Sequence, residues 1–205
     1  MSRSGVQVEL FFDVGSPYSY LAATQVAGLE ERTGVEVRFR PFLLGGVFKE
    51  SGNEMPARVA SKARWMLGDL SRWAARYGVP FRMSSHFPVN TLTAQRALTA
   101  AERLFGEDAM ERLAMGLFRA IWVEDRDVSS GDELAFAVNA AGLDAKALAA
   151  AIGDPAVKDD LRRATAEAVE RGAFGAPTFF VGDAMFWGND RLPLLEDHLR
   201  AMQAR

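Results

Sequence analysis

Apolar and polar positions divide this chain into two strand-containing ends and a long helical middle. Residues 6–14 (VQVELFFDV) alternate and then become continuously apolar, which predicts a strand that ends up buried. Residues 35–44 (VEVRFRPFLL) alternate apolar with charged residues and predict a second strand. Between them, residues 16–34 predict a helix with Ser16 as N-cap and Gly34 just past its end. We expect this strand–helix–strand unit to be parallel, with a right-handed crossover.

The middle of the chain is rich in Ala, Leu and Arg at helical spacing and has little strand signal. It predicts six helices, near residues 57–77, 91–105, 107–122, 131–141, 144–152 and 155–171. The fourth begins with a predicted capping box, in which Ser130 is followed three residues later by Glu133.

Strand signals return near the C-terminus. Residues 177–188 (PTFFVGDAMFWG) contain two short apolar runs around Gly182 and Asp183, which predicts a hairpin. Residues 189–203 then predict an amphipathic helix, with Asn189 or Asp190 as its cap and Pro193 in its first turn.

This element order predicts an α/β fold of the thioredoxin type, βαβ…ββα, with a large all-helical insertion. The thioredoxin-like domain takes residues 1–45 and 172–205, and the inserted helical domain takes residues 46–171. In such sheets, ligands bind beyond the carboxyl ends of the strands, where a loop enters a helix. In this chain that place is Gly15-Ser16-Pro17.

The amino-acid composition limits the reactions that a site at Gly15-Ser16-Pro17 can catalyse. The 205 residues include no cysteine and only two histidines, His86 and His198. A disulfide, a thiolate metal site and a cysteine nucleophile are therefore excluded, and we predict no metal. A net charge of −3 gives no sign of a nucleic-acid partner. No segment resembles a signal peptide or reaches the roughly 18 apolar residues of a membrane span, so we expect a cytoplasmic protein with no membrane partner.

Ser16 occupies the position at which thioredoxin-like redox enzymes carry a reactive cysteine. One interpretation is a helix cap alone, which contributes about 1 kcal/mol. Alternatively, its hydroxyl donates a hydrogen bond to a bound anion, because a serine without a neighbouring base is a poor nucleophile. Any thiolate at this position must then come from outside the protein.

Two further stretches allow a structural or a functional interpretation. Pro177 either begins a strand in the ordinary way or follows a cis bond that leaves the backbone N–H and C=O of Ala176 free for a peptide-like ligand. Asn189 and Asp190 either cap the last helix or help to bind a γ-glutamyl group. In the second case backbone N–H groups hold its carboxylate and Asp190 holds its ammonium.

Five stretches together carry a family resemblance: FFDVGSPYSYLA, VRFRPFLLGGVFKESGN, HFPVNTL, GAFGAPTFFV and FWGNDRL. With these, the chain resembles the 2-hydroxychromene-2-carboxylate isomerase family, which is related to kappa-class glutathione transferases within the disulfide-oxidoreductase branch of thioredoxin-like folds. The resemblance covers nearly the whole chain.

The resemblance implies glutathione as cofactor, with Ser16 as the catalytic residue facing its sulfur, and a small aromatic carboxylate as substrate. It assigns the cofactor contacts to Asn53, Lys62, Ala176, Trp187, Gly188, Asn189 and Asp190. It assigns the substrate contacts to Lys49, Val89 and Asn90. It also implies a homodimer.

The implied reaction is the cis–trans isomerisation of 2-hydroxychromene-2-carboxylate, or a polycyclic analogue, to trans-o-hydroxybenzylidenepyruvate in aromatic hydrocarbon degradation, of which naphthalene degradation is an example. Reversible thiolate addition makes the double bond single and permits rotation. Lys49 favours this reaction as an anchor for the substrate carboxylate, and Asn90 is a candidate to bind the enolate. Two alternatives stay open: a kappa-class transferase that releases the adduct, and a non-catalytic glutathione-binding module. Five aromatic residues are candidates for the cleft, although each is also a natural core residue: Trp65, Trp73, Phe87, Phe118 and Trp122.

Overall fold

The computed structural model describes residues 7–204, and its strands form one mixed sheet. The strands are β1 (Val8–Phe12), β2 (Val37–Pro41), β3 (Thr178–Val181) and β4 (Ala184–Trp187), in the order β2-β1-β3-β4. β1 pairs with β2 in parallel and with β3 antiparallel, and β3 and β4 form the hairpin. The predicted parallel βαβ unit and the C-terminal hairpin are therefore confirmed. Val6, predicted to start the first strand, lies outside the described residues.

Ten α-helices complete the fold within residues 7–204. They are α1 (Pro17–Ala23), α2 (Val26–Thr33), α3 (Leu44–Ser51), α4 (Ala60–Tyr77), α5 (Leu92–Phe105), α6 (Glu107–Trp122), α7 (Gly131–Ala140), α8 (Ala145–Ala151), α9 (Pro155–Glu170) and α10 (Leu192–Gln203). Short 3₁₀ turns occupy Pro56–Arg58 and Asn189–Arg191. The six helices predicted for the middle of the chain correspond to α4 to α9. The thioredoxin-like α/β fold with many added helices is confirmed.

The predicted single helix over residues 16–34 is wrong in its middle. The chain breaks at Thr24 and Gln25, and α2 begins at Val26. The Thr24 hydroxyl donates to the Leu21 carbonyl at 2.7 Å, and the Gln25 side-chain amide donates back to the Thr24 hydroxyl at 3.0 Å. Such local side-chain bonds compete with the helical ladder and end α1 after seven residues.

The predicted strand over residues 35–44 is also too long, since its last residues turn into α3. β2 ends at Pro41, which has no N–H to donate. The next two free amides find tertiary acceptors: Leu43 N–H donates to Thr165 Oγ1 at 3.0 Å, and Leu44 N–H donates to Asp13 Oδ2 at 2.9 Å. These contacts redirect the chain away from the sheet.

Two predicted helix caps are wrong. Ser130 precedes α7 but makes no side-chain cap bond, and Glu133 pairs instead with Arg126 at 2.8 Å. Asn189 and Asp190 do not cap α10, because they lie in the 3₁₀ turn before it.

The central strands β1 and β3 are buried on both faces, whereas β4 at the edge keeps Met185 and Trp187 exposed. One face, with Leu10 and Phe12, packs into a core shared with α1, α2, α10 and the inserted helices α4 to α9. The other face, with Phe11 and Phe180, packs against Val47 of α3 and a residue of α9. The predicted boundary between the sheet domain and the helical domain stays a prediction, although both contribute to one apolar core. Phe118 and Trp122 lie fully inside that core, so they are not cleft residues.

Gln95 of α5 joins the carboxyl ends of the two parallel strands. Its side chain is fully buried, donates to the carbonyls of Phe12 (3.0 Å) and Phe42 (2.7 Å), and accepts from Val14 N–H (3.5 Å). These bonds fix α5 across the end of the sheet at which the loop to α1 begins.

Replacing Gln95 by leucine should lower the free energy of unfolding by about 2–4 kcal/mol, because buried backbone groups lose their partners. Urea denaturation measures this loss. Thr93→Ala, at an exposed position of the same helix, is the control and should change stability by less than about 0.5 kcal/mol. A Gln95→Leu protein as stable as the wild type would contradict the assignment.

Candidate active site

A cavity of about 1050 Å³ opens at the point where β1 ends. Its walls come from seven segments: the loop into α1, α3, the connection between α3 and α4, α4, residues 87–92, and the two stretches on either side of the β3–β4 hairpin. Ser16 lines it. A cavity at this position agrees with the rule for sheets of this type.

Ser16 performs its predicted role as N-cap of α1. Its hydroxyl oxygen accepts from Ser19 N–H at 3.1 Å, and its own N–H donates to the Asp13 carbonyl at 2.9 Å. The hydroxyl proton is directed to the Ala176 carbonyl at 3.3 Å, a long and therefore weak bond. Ser16 is thus held in place by the backbone while its proton can turn toward a ligand.

The bond between Ala176 and Pro177 is cis, and so is the bond between Phe87 and Pro88 on another wall of the cavity. Ala176 borders the cavity, as expected for a residue that pairs with a peptide-like ligand. The prediction that its C=O has no partner is wrong, because that oxygen accepts the Ser16 hydroxyl.

Residues 187–190 lie together at the cavity, with Arg191 beside them. Gly188 has φ 104°, and a Cβ there would lie 2.5 Å from Asp190 Oδ1, so the turn requires glycine. Asn189 is buried and exchanges hydrogen bonds with Tyr77: its carbonyl accepts the Tyr77 hydroxyl at 3.0 Å, and its side-chain amide donates back at 3.3 Å. The Asp190 carboxylate pairs with Arg191.

One side of α4 forms a wall of the cavity that carries both charged and aromatic side chains. Five residues of this helix line the cavity: Lys62, Trp65, Met66, Asp69 and Trp73. Asp69 accepts the Tyr18 hydroxyl at 2.9 Å, which joins the wall to α1. Burial raises the pKa of Tyr18, and the neighbouring Asp69 raises it further. Tyr18 is therefore a neutral hydrogen-bond donor at physiological pH.

Most of the site residues predicted from the sequence come together at this cavity. Those that line it are Ser16, Asn53, Lys62, Val89, Asn90, Ala176, Trp187, Gly188, Asn189 and Asp190. The cleft candidates Trp65, Trp73 and Phe87 line it as well. Asn53 is itself positioned by a bond from its side-chain amide to the Phe174 carbonyl at 2.8 Å.

Lys49 does not join them, which corrects its predicted position. It lies on the exposed side of α3 and is not part of the cavity wall. Phe48, one residue earlier, lines the cavity instead, because successive helical residues point about 100° apart. The cationic side chains that line the cavity are Lys62 and Arg191.

Sequence reasoning missed five polar residues of the wall: Asp13, Tyr18, Asp69, Thr91 and Arg191. Asp13 and Tyr18 could have been suspected because they flank Ser16 along the chain. Asp69 follows Lys62 by seven residues, which places both on one side of a helix. Arg191 follows Asp190 directly, within the FWGNDRL stretch.

Within the described part of the chain, no group of three or more His, Asp or Glu side chains could hold a metal ion. No helix in that part is both long and apolar enough to span a membrane.

Comparison with known proteins agrees with this geometry. Residues 7–200 match the family model of the DSBA-like thioredoxin domain. The 2-hydroxychromene-2-carboxylate isomerase of Sphingobium xenophagum is 36% identical over 194 residues, covering 94% of this chain and 97% of that protein. Glutathione S-transferase kappa 1 of Rattus norvegicus is 32% identical over 200 residues, covering 92% and 88%.

A solved structure of a 2-hydroxychromene-2-carboxylate isomerase superimposes with a TM-score of 0.87 at 28% identity. The superposition covers 96% of this chain and 95% of that one. The similarity therefore includes the helical insertion as well as the sheet.

Proposed function

Since the chain belongs to the DSBA-like thioredoxin family and is an enzyme of the 2-hydroxychromene-2-carboxylate isomerase type, we propose that it isomerises this substrate, or a polycyclic analogue, with glutathione as cofactor. One observation carries the proposal. Ser16 lines a large cavity at the place of a redox cysteine, in a chain that has no thiol of its own. The volume of about 1050 Å³ is at the upper end of small-molecule sites, which suits two ligands bound together.

The charges around the cavity fit glutathione, which has one ammonium and two carboxylate groups. Asp190 is suited to the ammonium, while Lys62 and Arg191 are suited to the carboxylates. Ala176 can pair with the peptide backbone, and Asn53 adds a side-chain amide at the same rim. When bound, glutathione supplies a thiolate that adds reversibly to a conjugated double bond and so permits rotation about it.

The protein's own part is to favour the charged form of the sulfur and to orient it. Ser16 can donate its hydroxyl proton to an anion after giving up the weak bond to Ala176. A hydrogen bond to the charged form lowers the pKa of a thiol. The position of Ser16 is fixed by its backbone and cap bonds, so little rearrangement is required.

The aromatic part of the substrate fits the apolar wall. Trp65, Trp73 and Phe87 supply flat surfaces, and Val89 and Asn90 border the same space. Asn90 can donate its side-chain amide to the substrate carboxylate or to the enolate oxygen.

A second function, conjugation by a kappa-class transferase, is favoured by one observation. The cation that favoured the isomerase, Lys49, lies outside the cavity. A transferase acting on uncharged electrophiles needs no carboxylate anchor. The kappa-class relative from rat covers 92% of the chain, so its similarity extends over the site as well.

A spectrophotometric assay of hydroxychromene carboxylate, with and without added glutathione, tests the proposal. We expect isomerisation only in the presence of glutathione, because the protein has no thiol. Equal rates in both would refute the cofactor. Conjugation of chlorodinitrobenzene without isomerisation would favour the transferase, and glutathione binding without either activity would favour a non-catalytic module. The homodimer, the cytoplasmic location and a role in naphthalene degradation stay predictions.

A further inference from the structure

Asp13 is a buried carboxylate to which the proposed reaction assigns no role. It follows β1 directly, is 2% exposed, and borders the cavity three residues before Ser16. We propose that Asp13 is a positioning residue that fixes the glutathione side of the site relative to the substrate side. This inference rests on the proposed function.

The carboxylate of Asp13 holds three separate segments. Oδ1 accepts from Gly15 N–H at 2.9 Å, next to Ser16. Oδ2 accepts from Leu44 N–H at 2.9 Å, at the start of α3. The third partner is the Thr91 side chain, immediately before α5. All three segments line the cavity, so one side chain links the Ser16 loop to α3 and to the 89–92 segment.

The third link is supported by close packing. A Cβ at Gly15 would lie 2.9 Å from Thr91 Cγ2, so the Ser16 loop and the start of α5 are in direct contact. Thr91 sits at the N-cap position of α5 but makes no cap bond. Its side chain interacts with the Asp13 carboxyl group. Val89 and Asn90, the predicted substrate contacts, come directly before it.

A carboxylate suits this place because both of its oxygens accept hydrogen bonds. Asparagine keeps one acceptor, and its NH₂ group must then face one of the backbone N–H donors. Burial raises the pKa of Asp13, while the bonds from Gly15, Leu44 and Thr91 oppose that shift. The molecule thus retains a carboxyl group that is costly to bury, at the junction of three cavity walls.

We expect that a substitution of Asp13 lowers the rate of the reaction more than it lowers the affinity for glutathione. The proposed contacts for the charged ends of glutathione, Lys62, Asp190 and Arg191, lie on other elements and do not depend on Asp13. The distance from the glutathione sulfur to the substrate does depend on Asp13, because Asp13 joins the Ser16 loop to the 89–92 segment. Misplacement of reacting groups by about 1 Å costs on the order of 100-fold in rate.

The test compares Asp13→Asn with the wild type in kcat and in glutathione affinity measured by calorimetry. We expect kcat to fall about 10–100-fold, with less than about a 3-fold change in the Kd of glutathione. Hydrogen exchange should accelerate in residues 43–51. Thr91→Val should reproduce part of the kcat loss, and Thr91→Ser, which keeps the hydroxyl, should restore it.

Leu148→Ala is the matched control for lost stability, because Leu148 is buried in α8 and does not line the cavity. It should lower Tm without changing kcat at a temperature where the protein stays folded. An Asp13→Asn enzyme with wild-type kcat, or one that loses kcat and affinity equally, would overturn the positioning role. If the wild type itself binds no glutathione, the proposed function fails instead.

Discussion

Replacing Ser16 by alanine should lower kcat/KM for isomerisation by about 10²–10³-fold, the usual effect of removing one hydrogen-bond donor from a developing or bound anion. The Ser16 hydroxyl lines the cavity and is bound only weakly to Ala176, at 3.3 Å. Alanine also removes the cap bond to Ser19 N–H, which should cost about 1 kcal/mol of stability. That loss is too small to unfold a domain of ordinary stability.

Ser19 offers a matched control in the same helix. Its hydroxyl is fully buried and has no hydrogen-bond partner among residues 7–204, and the residue does not line the cavity. Ser19→Ala should therefore keep nearly all activity. If the two alanine variants lost activity equally, the effect would come from α1 as a whole, and the assigned role of the Ser16 hydroxyl would be wrong.

Replacing Asp190 by asparagine should weaken glutathione binding by about 10–100-fold, the equivalent of one charged hydrogen bond. Asp190 is the proposed partner of the γ-glutamyl ammonium, and Gly188 permits the turn that places it at the cavity. Asparagine keeps the shape but removes the charge. The substitution also frees Arg191 from its present partner.

Isothermal titration calorimetry with glutathione measures this effect. Asp183→Asn is the control, because Asp183 is exposed at the tip of the β3–β4 hairpin, away from the cavity wall. It should leave the affinity unchanged. If Asp190→Asn bound glutathione with unaltered affinity, the ammonium group would have to bind elsewhere. Asp69 would then be the next residue to test.

The sequence predicted well those features that depend on short-range rules. Ser16 caps α1 as its residue type indicates, and Gly34 ends α2 in a left-handed conformation. The alternation in β2 and the continuous apolar run in β1 matched their places at the edge and in the centre of the sheet. Because ligand sites in this sheet type lie at the carboxyl ends of strands, the cavity followed from the strand order.

One failed feature, the break between α1 and α2, comes from local side-chain bonds at Thr24 and Gln25, but others depend on contacts between distant segments. Pro41 ends β2 locally, but the start of α3 depends on Thr165 and Asp13, which accept from the Leu43 and Leu44 N–H groups across the fold. The face of α3 that lines the cavity selects Phe48 over Lys49, which a motif alone does not specify. Glu133 pairs with Arg126, in the loop just before α7, and therefore does not complete the capping box.

The ionisation state of bound glutathione tests the central claim most directly: that a protein without cysteine binds an external thiol and keeps it charged. Ultraviolet difference spectra at about pH 6.5, well below the pKa of roughly 8.5 of a free thiol, report the thiolate. We expect thiolate absorbance to appear as glutathione binds to the wild type, and to be largely lost in Ser16→Ala. Glutathione that binds and stays protonated, or that is equally ionised in both proteins, would contradict the account.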